Sequence, residues 1–532
     1  MIARRPVACA LGVLLLALIV AAVPAGRRPF WSSDEARFAL LAQDVLDRGK
    51  WLVAEIRGET YLNKPQLFFW AVALASLPFG RVTELTAALP AVLSSVLTVA
   101  GTIAVGRLLW GWPAGLLAGL ILVTTPMNFE MSHQVLPDVM LNAWLVWALY
   151  WFMRAQRQGW TLAPLAGFYA CLTAGLLCKG PQALAALAAA GVAVIFSDGA
   201  AQLGKLRLVR GSAFVLGVAA VAWLIPYQVS SQGGFEQRVV TGHYVTWYLV
   251  GPMLARLTAL HVPLAAFLPW TVILAAAPWW WRAQPDDARR RVILWTATMW
   301  VLSTLSGHYR ARYVLPVFPG LALLTAELVT APLTGVARRA RAVAFVVCGG
   351  CVLAVAIATF LPMARLVSGE DGAYVPHAAW EKVMLVVLAT AALVALIRSA
   401  RNSGAGGAVV LGLALAVIFL MEGFTYPGRY ARAFDVRPLA AAASASVGPS
   451  GGAVIGYPDL RLSYDVYLHR HRVIEIRDDS TVRARLQGEP RDSFIMTRDR
   501  WNALAAGAHP GWRVLASAKL GDRTMVTVGS GP

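Results

Sequence analysis

The chain has 532 residues, of which 58% are hydrophobic and only 14% are charged. Soluble domains carry about a quarter of charged residues, so this composition excludes a compact soluble enzyme. The 20 Trp, 14 Tyr and 19 Phe exclude a disordered chain, and five cysteines, all inside apolar runs, exclude a secreted disulfide scaffold. A polytopic membrane protein remains. Its net charge of +19 then reflects Lys and Arg beside the spans rather than nucleic-acid binding.

Long apolar segments predict the membrane spans, because a helix that crosses a bilayer needs roughly 20 mainly apolar residues. The first follows Arg4 and Arg5 and ends in small residues, as a cleaved signal peptide would, but its length favours a retained span. The short, Pro-bounded segment 65–80 predicts a helix lying along the membrane surface. The thirteen predicted spans are 6–26, 84–108, 113–127, 138–153, 161–178, 181–196, 210–229, 262–281, 291–306, 313–331, 341–362, 380–398 and 405–422.

Basic residues gather at alternate ends of these spans, which predicts an inner N-terminus and an outer C-terminus. The longer connections, 27–83 and 230–261, then lie outside. Residues 1–422 are predicted to form a helical membrane domain. Residues 423–532 are predicted to form a small outer α/β domain, in which the Ala-rich run 439–446 is interpreted as a linker. Its apolar runs predict strands at 453–457, 473–476, 494–497 and 524–528.

The first long connection carries charged residues in two places. Asp34, Glu35 and Arg37 open a predicted amphipathic helix, and either Ser33 or Asp34 is expected to cap it. An acidic first turn stabilises a helix without any chemistry, so this pattern is consistent with a cap or with a site.

The same connection then reads Tyr61-Leu-Asn63-Lys64-Pro65, followed by aromatic residues. Lys64 is well placed to hold a lipid phosphate, or to act as an interfacial anchor.

Further ionisable residues stand at the outer ends of the spans, where they are costly unless they are functional. Each also has a structural interpretation: a helix cap, a membrane anchor, or an arginine that reaches to lipid head groups. Together, carboxylates and cations on one face suit an anionic lipid head, because Arg binds phosphate in a fork-shaped geometry. These residues are Asp138, Lys179, His243, Arg310, Arg312 and Tyr313.

Three classes of function fit these features. One is a transferase that uses a lipid-linked donor at the outer face. Another is a transporter or flippase of a lipid-linked sugar, although transporters place their charges near the bilayer midplane and often show paired repeats. The third is a non-catalytic scaffold. No phosphate-binding loop, dinucleotide fingerprint, zinc-protease helix or nucleophile elbow occurs in the sequence.

The motifs resemble those of the GT-C glycosyltransferases, and in particular the aminoarabinose:lipid A transferases and the related protein O-mannosyltransferases. The resemblance covers residues 5–330 well. The rest of the chain resembles the family only in its overall arrangement, a polytopic core followed by a periplasmic α/β domain. The motifs that carry it are Asp34-Glu35-Ala-Arg37-Phe38, Tyr61-Leu-Asn63-Lys64-Pro65, Leu136-Pro137-Asp138, Lys179-Gly180-Pro181, Leu268-Pro269-Trp270 and Tyr313-Val-Leu-Pro316-Val-Phe-Pro319.

The resemblance implies an inverting transfer, at the periplasmic side of the bacterial inner membrane, from a sugar on a polyprenyl (undecaprenyl) phosphate. It implies lipid A or another envelope glycolipid as acceptor, with a protein hydroxyl as the alternative. Asp34 and Asp138 match the acidic catalytic residues, with Glu35 and Arg37 in support. The implied contacts to the donor phosphate are Tyr61, Lys64, Lys179 and Tyr313, and Arg310 and Arg312 are added as further cations.

A divalent metal, zinc or magnesium, is also implied by the resemblance. His243 matches a histidine that helps to hold it, but Asn63 stands where the family has a glutamate ligand. The family's arginine shortly after that histidine is also absent, and Arg310 or Arg312 is a candidate to replace it. Both departures weaken the expectation of a metal.

Overall fold

Helices make up most of the protein, and a small sheet follows them near the C-terminus. The computed structural model describes residues 5–530 apart from 31, 232–236, 238–240, 242–245, 247–249, 251–256, 258, 276, 279–280, 282–284, 306–309, 362–374, 400–403, 448–451, 459–460, 469–471 and 522. The α-helices before the sheet domain are Pro6–Ala22, Ser33–Arg48, Leu67–Ser76, Glu84–Trp110, Trp112–Val123, Pro126–Met131, Pro137–Arg157, Leu162–Lys179, Ala185–Asp198, Leu208–Ala219, Ile225–Ser230, Val262–Ala266, Thr271–Leu274, Asp287–Thr304, Phe318–Thr330, Gly335–Ala358, Ala379–Ser399 and Gly404–Phe434.

Eight helical segments of the described chain are long and apolar enough to cross a membrane, and each corresponds to a predicted span. The protein is therefore a multi-pass membrane protein, while the predicted total of thirteen spans stays a prediction. The predicted span 262–281 begins as two short helices, of five and four residues. The eight segments are Glu84–Trp110, Leu162–Lys179, Pro181–Asp198, Leu208–Ser230, Ala311–Thr330, Gly335–Ala358, Ala379–Ser399 and Gly404–Phe434.

The last of these helices continues beyond its predicted end. The segment Tyr426-Pro427-Gly428 suggests a break, since proline removes a helical hydrogen bond, yet the helix runs on to Phe434. Arg429 holds this part in place through ion pairs to Glu381 at 2.5 Å and to Glu422 at 2.8 Å. The domain boundary predicted after residue 422 therefore falls inside a helix, and the α/β domain begins after Phe434.

The C-terminal domain has a five-stranded mixed sheet, whose strands in spatial order are Arg472–Glu475, Ala453–Gly456, Ser493–Thr497, Arg523–Ser530 and Trp512–Leu520. All four predicted strands are confirmed, and the fifth, Trp512–Leu520, escaped prediction because its inner residues are all half-buried or exposed, with no regular alternation. The interpretation of the Ala-rich run as a linker is wrong: it forms the helix Arg437–Val447, which buries Leu439, Ala440 and Ala443. Alanine is the strongest helix former. The strands are β3 Ala453–Gly456, β4 Arg472–Glu475, β5 Ser493–Thr497, β6 Trp512–Leu520 and β7 Arg523–Ser530, with helices Leu462–Tyr467, Asp479–Gln487 and Arg498–Ala505 between them.

The first long connection contains the helix Ser33–Arg48, called here the first-loop helix, then a hairpin of β1 (Glu55–Ile56) and β2 (Glu59–Thr60), then the helix Leu67–Ser76. The last of these is the helix predicted to lie along the membrane surface. It buries Phe68, Phe69 and Val72 in the protein core. Its orientation to the bilayer stays a prediction.

A close helix crossing sets the distance between two of the charged residues singled out above. Gly175 lies one turn before the end of the helix Leu162–Lys179. A Cβ there would come within 3.3 Å of Leu141 Cδ1 on the helix Pro137–Arg157. Small residues let membrane helices approach closely. This approach brings the ends that carry Lys179 and Asp138 together.

Candidate active site

Asp34 does not cap the first-loop helix, because Ser32 does so. The first-loop helix has Ser32 as its N-cap, where Ser33 or Asp34 was expected, and Ser32 Oγ accepts from the backbone N–H of Asp34 at 3.2 Å. The carboxylate of Asp34 therefore points elsewhere. It accepts from Arg312 Nη2 at 2.5 Å and also from Arg37. The interpretation of Asp34 as a simple cap is wrong.

The cations around Asp34 keep it ionised. Burial alone would raise the pKa of its carboxyl, but Arg312, Arg37 and Arg310 hold that pKa below its usual value. About a fifth of the Asp34 side chain remains exposed. The group is thus a charged, reachable carboxylate.

Asp138 forms the second half of the charged cluster. It stands in the first turn of its helix, whose N-cap, Leu136, offers no side-chain bond. Its carboxylate accepts from Lys179 Nζ at 2.5 Å, with both side chains about 5% exposed or less. Arg312 Nε lies 3.8 Å from the other oxygen of Asp138. Arg312 therefore lies between the two carboxylates.

Tyr313 and Lys179 are also in contact, with Nζ 4.5 Å from the centre of the tyrosine ring. A cation over an aromatic face is stabilised most where water is excluded. Tyr313 thus forms one wall around the buried ammonium.

The segment after the hairpin brings Tyr61, Asn63 and Lys64 to the same place. Tyr227 Oη donates to the backbone oxygen of Lys64 at 2.8 Å, which fixes the segment against the helix Ile225–Ser230. Burial lowers the pKa of Lys64 to about 7, and the charge of Lys179 acts in the same direction. Burial raises the pKa of the Tyr61 hydroxyl, so Tyr61 stays a hydrogen-bond donor.

Two adjoining cavities meet at these residues. The charged cavity, about 290 Å³, is lined by Asp34, Arg37, Phe38, Tyr61, Asn63, Lys64, Leu136, Pro137, Asp138, Lys179, Arg310, Arg312 and Tyr313. The apolar cavity, about 380 Å³, is lined mainly by aliphatic side chains of four helical segments, among them Leu141, Ala188 and Met299. Asp138, Lys179, Arg312 and Tyr313 line both.

The family model of the dolichyl-phosphate-mannose-protein mannosyltransferases matches residues 63–225. This stretch includes Lys64, Asp138 and Lys179 but begins after Asp34 and ends before Arg312. Undecaprenyl phosphate-α-4-amino-4-deoxy-L-arabinose arabinosyl transferases are also similar. That of Serratia proteamaculans is 25% identical over 418 residues, 73% of this chain and 72% of the relative. That of Pectobacterium carotovorum is 24% identical over 338 residues, 60% and 58%.

The fold is shared with solved structures. The structure of ArnT from Cupriavidus metallidurans bound to undecaprenyl phosphate aligns with a TM-score of 0.78 and 20% identity, over 98% of this chain and 99% of that one. Its apo state aligns with a TM-score of 0.77. The chain is a glycosyltransferase that shares the fold of ArnT. The resemblance seen in the motifs is confirmed, and the alternatives of a flippase and of a non-catalytic scaffold are set aside.

Glu35 lies behind the charged cavity and does not line it. It is 3% exposed and pairs with Arg28 through two hydrogen bonds of 2.9 and 2.5 Å. It also accepts from the backbone N–H of Val135 at 3.2 Å. Glu35 thus ties the helix of Asp34 to the segment that leads into Asp138. Arg28 was not predicted, although its position in a basic pair seven residues before Glu35 is a usable signal.

The residues described here do not form a metal site. His243 lies outside the described residues, and no group of three or more His, Cys, Asp or Glu in the described part of the chain could hold a metal. The carboxylates that line the charged cavity with Asn63 are already bound by arginine and lysine, and an amide is a poor substitute for a glutamate ligand. The metal implied by the resemblance therefore stays a prediction, and no catalytic step is assigned to one.

Proposed function

We propose that this glycosyltransferase transfers a sugar from a polyprenyl phosphate, undecaprenyl phosphate in bacteria, to lipid A or another envelope glycan. One observation carries the proposal: a cavity with five cationic side chains shares four lining residues with an apolar cavity beside it. A polyprenyl-linked donor has this same form, an anionic phosphate joined to a long apolar chain. The names of the similar arabinosyl transferases and the undecaprenyl phosphate bound to ArnT agree with it.

The site is proposed to face the periplasm, in the bacterial inner membrane. Arg154 and Arg157 lie at the far end of the helix that begins beside Asp138, and basic residues favour the cytoplasmic side. The helix Leu462–Tyr467 of the C-terminal domain contacts the first-loop helix, which also carries Asp34 of the charged cavity. Donor, acceptor and C-terminal domain would then share one compartment.

The proposed reaction breaks the bond between the sugar C1 and the donor phosphate oxygen, and that oxygen keeps the electron pair. Lys64, Lys179 and Arg312 stabilise the charge that develops on the leaving phosphate, since fixed cations act most strongly where water is excluded. Tyr61, Arg310 and Tyr313 complete the phosphate pocket. The acceptor oxygen forms the new bond to C1 from the opposite face, which inverts the configuration.

Asp34 is proposed to act on the acceptor, because it is the more exposed of the two carboxylates. A hydroxyl acceptor would give its proton to Asp34 as general base. A phosphate acceptor needs no strong base, since its second pKa is near 6, and Asp34 would then orient it through Arg37 and Arg312. The lowered pKa of Asp34 makes it a weak base, which favours a phosphate on lipid A. Asp138 holds Lys179 in place.

The acceptor is tested by mass spectrometry of lipid A from cells with and without the gene. We expect species heavier by one sugar that vanish on deletion and return with the wild-type gene. Ala188→Trp should fail to restore them because it fills the apolar cavity. Ile195→Trp, an exposed position of the same helix outside that cavity, should restore them.

Two results would count against lipid A. Loss of a sugar from periplasmic proteins, with lipid A unchanged, would point to a protein acceptor, as in the family whose model matches residues 63–225. Full activity of Ala188→Trp would contradict the assignment of the apolar cavity to the polyprenyl chain.

Donor binding is expected to weaken as the pH rises from 6 to 8. Lys64 has a pKa of about 7, so it is charged below that value and neutral above it, and only the charged form attracts phosphate. The expected fall in affinity is roughly tenfold, because each pKa unit corresponds to a factor of ten. The measurement is equilibrium binding of an undecaprenyl methyl phosphodiester, whose single charge does not change over this range. Lys64→Arg should bind equally at both pH values, and a pH-independent wild type would contradict the prediction.

A further inference from the structure

Arg57 lies at the tip of the hairpin in an unusual backbone conformation. Arg57 and Gly58 form the two-residue turn between β1 and β2 and have φ values of 54° and 80°. Tight hairpin turns require such positive φ values and usually place Asn, Asp or Gly there. An arginine at this position is disfavoured by the backbone. Contacts of its side chain must therefore offset the cost of the backbone conformation.

The guanidinium of Arg57 binds the C-terminal domain. Nε and Nη2 donate to the two carboxylate oxygens of Asp465 at 2.8 and 2.7 Å, and Nη1 donates to Glu475 at 2.6 Å. Asp465 belongs to the helix Leu462–Tyr467, and Glu475 ends β4. Asp465 is largely buried. A two-pronged bond between arginine and carboxylate fixes direction as well as distance. These three residues are called the hairpin clasp.

A short, hydrogen-bonded segment of the chain links the hairpin clasp to the charged cavity. Tyr61 donates its backbone N–H to Ala54 at 3.0 Å, which closes the hairpin immediately before Asn63 and Lys64. Glu55 donates its backbone N–H to Asp44 on the first-loop helix at 2.9 Å. The hairpin therefore connects the C-terminal domain to the two elements that carry Lys64 and Asp34.

A second contact lies beside the clasp. Tyr467, two residues after Asp465, accepts from the backbone N–H of Phe30 at 3.0 Å and donates to Glu84 at 2.8 Å. The C-terminal domain thus holds the first long connection before the first-loop helix and after it.

We propose that Arg57 is a positioning residue, through which the C-terminal domain holds the segment of Tyr61 and Lys64 in the donor-phosphate site. The inference rests on the proposed function, because it takes that segment to bind donor phosphate. Arg57 does not line the charged cavity, so it acts only through the residues that follow it. The C-terminal domain is then part of the donor site's support.

The test uses Arg57→Asn in the full-length protein. Asparagine accepts positive φ values more readily than arginine, so this variant keeps the turn and removes the three ion contacts. We expect undecaprenyl phosphate to bind about tenfold more weakly in lipid nanodiscs, and the amides of residues 59–64 to exchange hydrogen faster. The double variant Arg57→Asp with Asp465→Arg reverses the pair and should restore binding to within about threefold of wild type.

Arg485→Ala is the matched control. It removes an ion pair to Asp492 of 2.7 Å that lies wholly within the C-terminal domain, and it should leave binding and exchange unchanged. Wild-type binding and exchange in Arg57→Asn would overturn the inference, as would a reversed pair that folds but stays as weak as Arg57→Asn. Wild-type protein that binds no undecaprenyl phosphate would instead overturn the proposed donor. Hydrogen exchange of residues 59–64 would then still test whether Arg57 holds this segment in place.

Discussion

Asp34→Asn is expected to lower the rate of sugar transfer by at least about 100-fold while the protein still folds and inserts into membranes. The amide keeps the size of the carboxylate but loses the charge that binds Arg312 and Arg37 and the capacity to accept a proton. Positioned acids and bases contribute about 10²–10⁴-fold to rates. The measurement is transfer from a lipid-linked donor by purified protein, beside thermal unfolding in the same detergent.

Asp47→Asn on the same helix is the control for this variant. Asp47 accepts from Gln43 at an exposed position and does not line the charged cavity, so its loss should leave the transfer rate within about twofold of wild type. Near-normal activity of Asp34→Asn would remove Asp34 from the mechanism.

Lys179→Met is expected to abolish transfer and also to destabilise the protein. Its loss leaves Asp138 buried without its close partner, with Arg312 Nε 3.8 Å away. Removing one partner of a buried ion pair costs about 3–5 kcal/mol, because the other charge stays buried. The expected results are a lowered unfolding temperature and a transfer rate reduced at least about 100-fold. A loss of this size is typical when one group that stabilises transition-state charge is removed.

The double variant of Lys179→Met with Asp138→Asn separates the two effects. It removes both charges, so the unfolding temperature should recover towards wild type while transfer stays lost. Recovery of both stability and transfer would show that the pair is only structural, and the assignment of Lys179 to the donor phosphate would be wrong.

The candidate site could be predicted from sequence because its residues are conspicuous there. Asp138 and Lys179 stand at the ends of long apolar runs, where an ionisable group is costly, and Lys64 lies in a polar loop before an aromatic segment. The partners of these residues could not be predicted. Arg312 is 278 positions from Asp34, and no periodicity or spacing reports a contact over that distance.

Local signals explain the parts of the fold that were predicted wrongly. The alanines of 439–446 indicate both a linker and a helix, and only burial against β7 and its neighbours decides for the helix. Pro427 suggests a break that the ion pairs of Arg429 offset. Ser32, Ser33 and Asp34 are all good caps by residue type, so the choice between them depends on where the chain enters the helix.

The row formed by Arg37, Asp34, Arg312, Asp138 and Lys179 alternates in sign and holds three cations against two carboxylates. Its surplus of one positive charge equals the single negative charge of a phosphodiester donor, so the loaded row is electrically neutral. Departure of the sugar adds up to one more negative charge to the phosphate, and the charged ammonium of Lys64, which also lines the cavity, can balance it. Uncompensated charge costs most in surroundings of low dielectric constant, so the row and Lys64 together offset the charge of the phosphate before and after the sugar departs.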